Sequence, residues 1–280
     1  MKNLLLYPNP IKDSELIVTR QTAEYLCHLG FTVYISDKFS VDHCETYHDT
    51  PPSCDAMIVI GGDGSMIDAL PLALTMDIPV LGINLGKVGF LNELEPTEIS
   101  LLEQLKLNNY TVDQRLLMDV EVVEGQRRFY SAFPAVNDLV VSRKIENTIA
   151  SVRVYYNGTK ALDYRADGVV ISTPIGSSAY ALSCGGPMLT HELDAISLTP
   201  ICPHSFLNRS MVFPDSAVID IENLGEHSLA VIVDGRVLTE ISCGGICTLR
   251  KSAKTLKMIS LKGEGHLQSI FKKLRKIQNF

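Results

Sequence analysis

The stretch on which the fold turns is IVIGGDGSMIDAL, Ile58 to Leu70. An apolar run stops at Gly61 and Gly62, Asp63 follows, and Gly64 and Ser65 lead into a second apolar pattern. The order reads as a buried strand, a tight loop and a helix. Such a loop lies at the carboxyl end of a parallel sheet, where α/β proteins bind ligands. The glycines allow positive φ and close approach of a ligand to the backbone. Their N–H groups, with those at the start of the helix, are suited to an anion such as phosphate. No Gly-Lys-Ser/Thr follows, so this is not a Walker A loop. The spacing of Gly61, Gly62 and Gly64 is not GxGxxG either.

Asp63 is the anomaly, because an acid is unwelcome beneath a phosphate. Two readings stand. In one, Asp63 is a turn or helix-start residue favoured by the helix dipole. In the other, its carboxylate takes a proton from a hydroxyl that attacks phosphorus, a contribution of ~10²–10⁴ in rate. Placement and charge neutralisation supply most of the remaining catalysis in phosphoryl transfer.

Around this loop the first hundred residues alternate strand and helix patterns. NLLLY (3–7), FTVYI (31–35), AMIVI (56–60) and IPVLGIN (78–84) read as strands. The spacing of Leu16, Thr19, Ala23, Leu26 and Leu29 predicts a helix over 14–29, with Gly30 as its cap. A second helix is expected from the GGDGS loop through Leu74. Residues 37–54 read as an irregular connection. Strands apolar on both faces, alternating with helices, predict an α/β layer with a parallel sheet.

The texture changes after about residue 112. ASVRVYY (150–156) alternates and meets Asn157-Gly158, a strong hairpin signal. AVIDIE (217–222) alternates as well, and Leu229 to Val233 runs into Asp234-Gly235. These signals predict antiparallel stacked sheets, a sandwich-like all-β domain. TLKMISLK (255–262) returns to strand. A last helix follows, with Leu267, Ile270, Phe271, Leu274 and Ile277 on its apolar face and Lys272, Lys273, Arg275 and Lys276 on a solvated one. The expected organisation is an α/β nucleotide-binding domain over 1–113 and an all-β domain over 114–252. A strand–helix segment, 253–280, returns to the first domain.

Bulk composition excludes several classes. With a formal charge of −7 and a pI near 5.5, a nucleic-acid partner is not expected. Any phosphate site must be made locally, since the overall field repels anions. The seven cysteines are odd in number and hold no CxxC pair, which fits reduced thiols in a cytoplasmic protein. Residues 168–191 carry no Asp, Glu, Lys or Arg, yet Pro174, Pro187 and several glycines rule out a membrane helix. This stretch reads as buried or ligand-lining.

Three further segments carry chemistry. Asn137-Asp138 opens the run LVV and by itself reads as a turn. DGVVISTPIGSSAYALSCGGP, 167–187, joins a strand, hydroxyls including Thr173, Tyr180 and paired glycines, suited to a base and ribose. TPICPHSFLNRSMVFP, 199–214, holds His204 and Arg209.

In this order the segments resemble those of the NAD kinase family. GGDGS is similar to its GGDG[ST] signature and Asn137-Asp138 to its Asn-Glu/Asp pair. STPIGSSAY…GGP and TPICPHSFLNRS resemble two longer family stretches, and PVLGINLGKVGFL (79–91) fits the pattern. The likeness runs over roughly residues 55 to 240. It implies phosphorylation of NAD to NADP by ATP or polyphosphate with Mg²⁺ or another divalent cation, in a homo-oligomer, dimer or tetramer. It implies an α/β and an all-β domain. It assigns Asp63 as base on the adenosine 2′-hydroxyl, with Gly61, Gly62, Gly64 and Ser65 around it. Asn137 and Asp138 would hold the adenosine end, Ser178, Ala179 and Tyr180 would surround adenine, and Arg165 and Asp167 would reach the nicotinamide side. No residue is assigned as a metal ligand. Ser65 and Ser178 replace the commoner Thr and keep its hydroxyl. Asp138 replaces Glu with one methylene less, and Ser210 stands where Pro is common. The rival readings are a GGDG-type kinase acting on a lipid or sugar, and a non-catalytic NAD-sensing module.

Overall fold

The computed structural model describes residues 1–87, 89–144, 148–204, 209–263, 270–273 and 275. The chain forms two compact units, Met1–Arg115 with Leu256–Phe280, and Leu116–Thr255. Among the described residues no helix is long and apolar enough to cross a membrane.

The first unit is the expected α/β layer. Its parallel strands are Asn3–Pro8, Thr32–Ser36, Glu45–Tyr47, Ala56–Gly61 and Val80–Asn84. Ala56–Gly61 and Val80–Asn84 are buried at every position, as strands covered on both faces must be. In the sheet, Asn3–Pro8 lies between Thr32–Ser36 and Ala56–Gly61, and Val80–Asn84 follows outside the latter. Chain order therefore reverses between Asn3–Pro8 and Ala56–Gly61, whose ends meet as Pro8 beside Ile60. The carboxyl ends of these two strands form the topological switch point. Met258, from the long strand Ile246–Ser260, extends the sheet beside Val80.

Local differences from the sequence reading have physical causes. The first helix spans Ile17–His28, not 14–29. A 3₁₀ turn, Ser14–Leu16, precedes it, with Glu15 and Leu16 at φ 57°. The buried carboxylate of Asp13 accepts the N–H groups of Val18 and Thr19 and the Thr19 hydroxyl, so the helix is capped from four residues before it begins. Gly30, at φ 88°, closes its other end as expected. The second helix, Asp63–Met76, continues past Leu74 and contains Pro71. Residues 37–54 include the short strand Glu45–Tyr47. Leu267, Leu274, Ile277 and Lys276 of the expected last helix lie outside the described residues. Ile270 is buried there, but Phe271 is 53% exposed, so it does not share the apolar face.

The second unit is antiparallel, as expected. One sheet runs Met211–Pro214, Ala195–Ile201, Gly168–Ser172, Asp138–Arg143, Leu229–Val233, Arg236–Ile241. The facing strands include Ala150–Tyr156, Thr159–Ala166, Ile219–Asn223 and the start of Ile246–Ser260. Val152, Val154, Ile219 and Ile221 pack with Leu139, Val141, Val169, Ile171 and Val231 in one core. Both hairpin signals hold. Asn157-Gly158 and Asp234-Gly235 take positive φ at both residues (50° and 75°, 46° and 77°), as type I′ turns require. The charge-free stretch is also explained. Gly168–Ser172 is buried throughout, and the short helix Tyr180–Ser183 covers its outer face through Ala181 on Val140, Val170 and Ile201.

Candidate functional site

In the first unit the expected residues gather at the switch point. Gly62 is the residue before the helix and Asp63 the first within it, so the helix-start reading of Asp63 is correct as geometry. Its carboxylate nevertheless turns away from the helix. Oδ2 accepts the Phe90 N–H at 2.8 Å, while Oδ1 accepts the Leu91 N–H at 3.0 Å and the Asn92 side-chain amide at 2.9 Å. A carboxylate has about four lone-pair positions. Three are filled, which leaves Oδ2 able to accept one more hydrogen bond from a ligand hydroxyl. The segment 90–92 is itself braced by the Lys273 ammonium, which donates to the carbonyls of Phe90 and Asn92 at 3.1 and 3.0 Å. Burial pushes Lys273 below the usual lysine range, opposed by the charges of Asp63 and Glu93. Lys273 therefore does not lie on a solvated face.

The glycines serve by their size. None of Gly61, Gly62 and Gly64 has positive φ, contrary to one expected use. A Cβ on Gly61 would overlap the Ser65 hydroxyl, and one on Gly62 would overlap the Lys12 ammonium, whereas Gly64 faces open space. Ser65 is buried and its hydroxyl accepts from the Asn9 amide at 2.7 Å. Among the described residues no group of three or more His, Cys, Asp or Glu is placed to hold a metal.

In the second unit, Asn137, Asp138 and Thr173 are brought together. Asp138 pairs with Ser172 across adjacent strands. The Thr173 N–H donates to the Asn137 carbonyl at 2.9 Å, and its hydroxyl to the Val136 carbonyl at 2.6 Å. A Cβ on Gly176 would overlap the Asn137 carbonyl, so the 173–180 loop can lie against 136–138 only with glycine there. The opposite edge of 136–138 is held by Asp234, whose carboxylate accepts the N–H groups of Val136, Asn137 and Asp138 at 2.8, 2.7 and 3.1 Å. The Asp234 N–H donates back to the Asp138 carbonyl at 3.0 Å. Burial, and then the neighbouring Asp234 charge, pushes the Asp138 carboxyl up to about 7. Burial also raises Asp234, opposed by its three backbone donors.

Arg165 and Asp167 lie elsewhere. The strand Gly168–Ser172 separates Asp167 from Thr173, roughly 20 Å at the usual rise per residue. Asp167 pairs with Arg143 at 2.7 Å, and the Arg165 carbonyl accepts the His204 N–H at 2.8 Å. Ser178 donates to the Ile175 carbonyl at 3.0 Å. Ala179 links the turn Gly176–Ser178 to the helix Tyr180–Ser183. The Tyr180 ring is 45% exposed, available to stack on a planar ligand. Its hydroxyl is raised by burial and then by Cys184, Cys202 and Asp167, which places it toward the Asp167 end. Residues 205–208 of the TPICPHSFLNRS segment lie outside the described residues.

Lys12, Asn92, Asp234 and Lys273 were not singled out from the sequence. Lys12 carries a faint signal, a cation just after the first strand of an α/β unit. Asp234 was legible only as a turn residue, because its partners lie almost a hundred residues away.

Comparison with known proteins finds two family models along the chain. Residues 4–108 match the family model for the ATP-NAD kinase N-terminal domain, and residues 136–261 that for the ATP-NAD kinase C-terminal domain. The chain is 36% identical to the NAD kinase of Lachnoclostridium phytofermentans over 283 residues, covering 98% of each. It is 30% identical to the NAD kinase of Caldanaerobacter subterraneus subsp. tengcongensis over 281 residues, 98% of this chain and 99% of the relative. Its fold matches the crystal structure of yeast NADH kinase complexed with NADH at TM-score 0.84 and 20% identity, over 100% of this chain and 88% of that one. It also matches an NAD kinase from Archaeoglobus fulgidus in complex with ATP, at TM-score 0.71 and 23% identity, over 99% of each.

Proposed function

The chain belongs to the NAD kinase family, and from that premise we propose that it transfers the terminal phosphoryl group of ATP to the adenosine ribose 2′-hydroxyl of NAD, giving NADP. Inorganic polyphosphate is the second donor consistent with a site that recognises phosphate.

The observation that carries the reading is the seating of Asp63, with one acceptor position of Oδ2 left for a hydroxyl. In the reaction the 2′-hydroxyl donates to Oδ2. As its oxygen bonds to phosphorus and the donor's bridging oxygen departs, the proton passes to the carboxylate. Phe90, Leu91 and Asn92 keep that carboxylate aimed, so little reorganisation accompanies the step. The N–H groups of the loop and the helix start bind the donor phosphates. A divalent cation, when bound, neutralises charge on those phosphates.

Asn137 and Asp138 take the adenosine end of NAD, on a backbone fastened from both edges. Ser178, Ala179 and Tyr180 flank the adenine, and Arg165 and Asp167 address the nicotinamide side. Their separation from Thr173 suits an extended dinucleotide. The proposal places the enzyme in the cytoplasm with its nucleotide substrates. It extends to a homo-oligomer, for which the edge strand Met211–Pro214, with Val212 52% exposed, offers apolar surface to a second copy.

The test is direct. Purified protein incubated with NAD, ATP and Mg²⁺ should yield NADP and ADP in equal amounts, resolved by chromatography. ADP without NADP, or no product, would overturn the reading.

A further inference from the structure

Lys12 lies outside all the motifs quoted above, yet it stands over the GGDG loop. The turn that carries it is fastened at both ends. Asn9 accepts the N–H groups of Ile11 and Lys12 on its side-chain oxygen at 3.0 and 3.2 Å, and those of Lys12 and Asp13 on its carbonyl at 3.1 and 2.9 Å. The Asn9 amide holds Ser65 of the loop, and its N–H continues the ladder onto the Ile60 carbonyl at 2.9 Å. On the other side, buried Asp13 caps the first helix. The backbone of Lys12 is thus tied to the carboxyl ends of both strands at the switch point.

Its side chain runs from there across Gly62. The ammonium occupies the place of a Gly62 Cβ and lies 3.8 Å from the place of a Gly86 Cβ. Neither glycine has positive φ, so what both supply here is room. Among the described residues the ammonium has no carboxylate partner, in a chain of net charge −7. It faces the amino end of the helix Asp63–Met76, whose partial charge has the same sign. Asp63 does not neutralise the pair, because its carboxylate is turned to 90–92. Lys12 is exposed, so an anion can reach its ammonium and the N–H groups at the helix start together, bridging the two positive features.

We infer that Lys12 binds the phosphate chain of the phosphoryl donor, holding it against the Gly61–Gly62 backbone. This deepens the proposed function and rests on it for the identity of the donor. Lys12 contacts phosphate oxygens and takes no proton. Because it reads phosphate and not adenosine, it serves ATP and an inorganic phosphate chain alike.

The test uses the full chain, with Lys12→Gln and Lys12→Arg beside the wild type. Inorganic tripolyphosphate binding is read by calorimetry, without turnover, and KM is measured separately for ATP and for NAD. Lys12→Gln should weaken tripolyphosphate binding and raise KM for ATP together, by about 10- to 100-fold, as for loss of a charge-assisted hydrogen bond. KM for NAD should stay within about twofold, and Lys12→Arg should recover most of the loss because it restores the charge. Unchanged tripolyphosphate binding in folded Lys12→Gln overturns the inference. So does an equal rise in both KM values, or failure of Lys12→Arg to recover binding. If the wild type makes no NADP, the proposed function fails, while the tripolyphosphate measurement still decides the role of Lys12.

Discussion

Asp63 is fixed twice over, by its place at the start of a helix and by the partners of its carboxylate. It begins a helix, which any aspartate does well, and its carboxylate is also aimed by three donors from a segment about thirty residues on. Asp63→Asn preserves size but places an amide among N–H donors and removes the proton acceptor. Turnover should fall by ~10²–10⁴ while NAD binding stays within a few-fold. Steady-state rates with NAD titrations check both, and near-normal turnover in the folded variant would remove Asp63 as the base. Asp138 yields a pH prediction. Its carboxyl is pushed up to about 7 by burial and then by Asp234, so it ionises across the neutral range. A ribose hydroxyl donates to the ionised form. NAD affinity should therefore rise as pH climbs from 6 to 8, and Asp138→Asn should flatten that slope in calorimetry. Stability moves the other way. The folded carboxyl holds its proton above the unfolded range, so this contribution is full below about pH 4 and is lost as pH rises through about 7.

At the scale of elements, the hairpin at Asp234-Gly235 was legible as a turn and nothing more. Local chemistry explains why: Asp-Gly favours positive φ wherever it stands. That the same carboxylate fastens Val136, Asn137 and Asp138 depends on Leu229–Val233 lying beside Asp138–Arg143, a pairing no local signal encodes. Asp234→Ala would leave three N–H groups without their acceptor, each costing up to about 1–3 kcal/mol if buried. NAD should bind about 10- to 100-fold more weakly, with KM for ATP little changed, and Asp234→Asn should lose less. Equal NAD affinity in folded Asp234→Ala would show that the clamp does not matter. The last helix carries a similar lesson. Amphipathic spacing assigned Lys273 to solvent, yet its ammonium meets two carbonyls of the 90–92 segment. A long side chain can reach back from a polar position, and periodicity records only where the Cα points. Lys273→Met should lower kcat and shift its acidic pH limb while leaving KM for NAD within about twofold, because the group acts through the seating of Asp63. An unaltered pH–rate profile would reduce Lys273 to a packing residue.

At the scale of the whole molecule, the two units divide the work. Met1–Arg115 with Leu256–Phe280 holds Asp63 and the glycine loop, proposed as base and phosphate site, and Leu116–Thr255 holds the residues proposed for NAD. Hydrogen exchange with each ligand alone tests that division. NAD should slow exchange at 136–138 and 173–180, and Mg-ADP at 61–65, each by at least tenfold. NAD protection confined to 61–65 would contradict it. The sequence alone determined the α/β and antiparallel classes, both type I′ hairpins, the glycine loop and the order of the motifs. Each of these rests on near-neighbour chemistry: two-residue or helical periodicity, and turns that few residue types can make. Tertiary structure alone decided that Asp63 is held by 90–92, that Asp234 fastens 136–138, that Lys12 stands over Gly62 and that Lys273 braces 90–92. Those contacts join residues about thirty to about 180 positions apart, and only the pairing of strands and the reach of folded side chains bring such groups together.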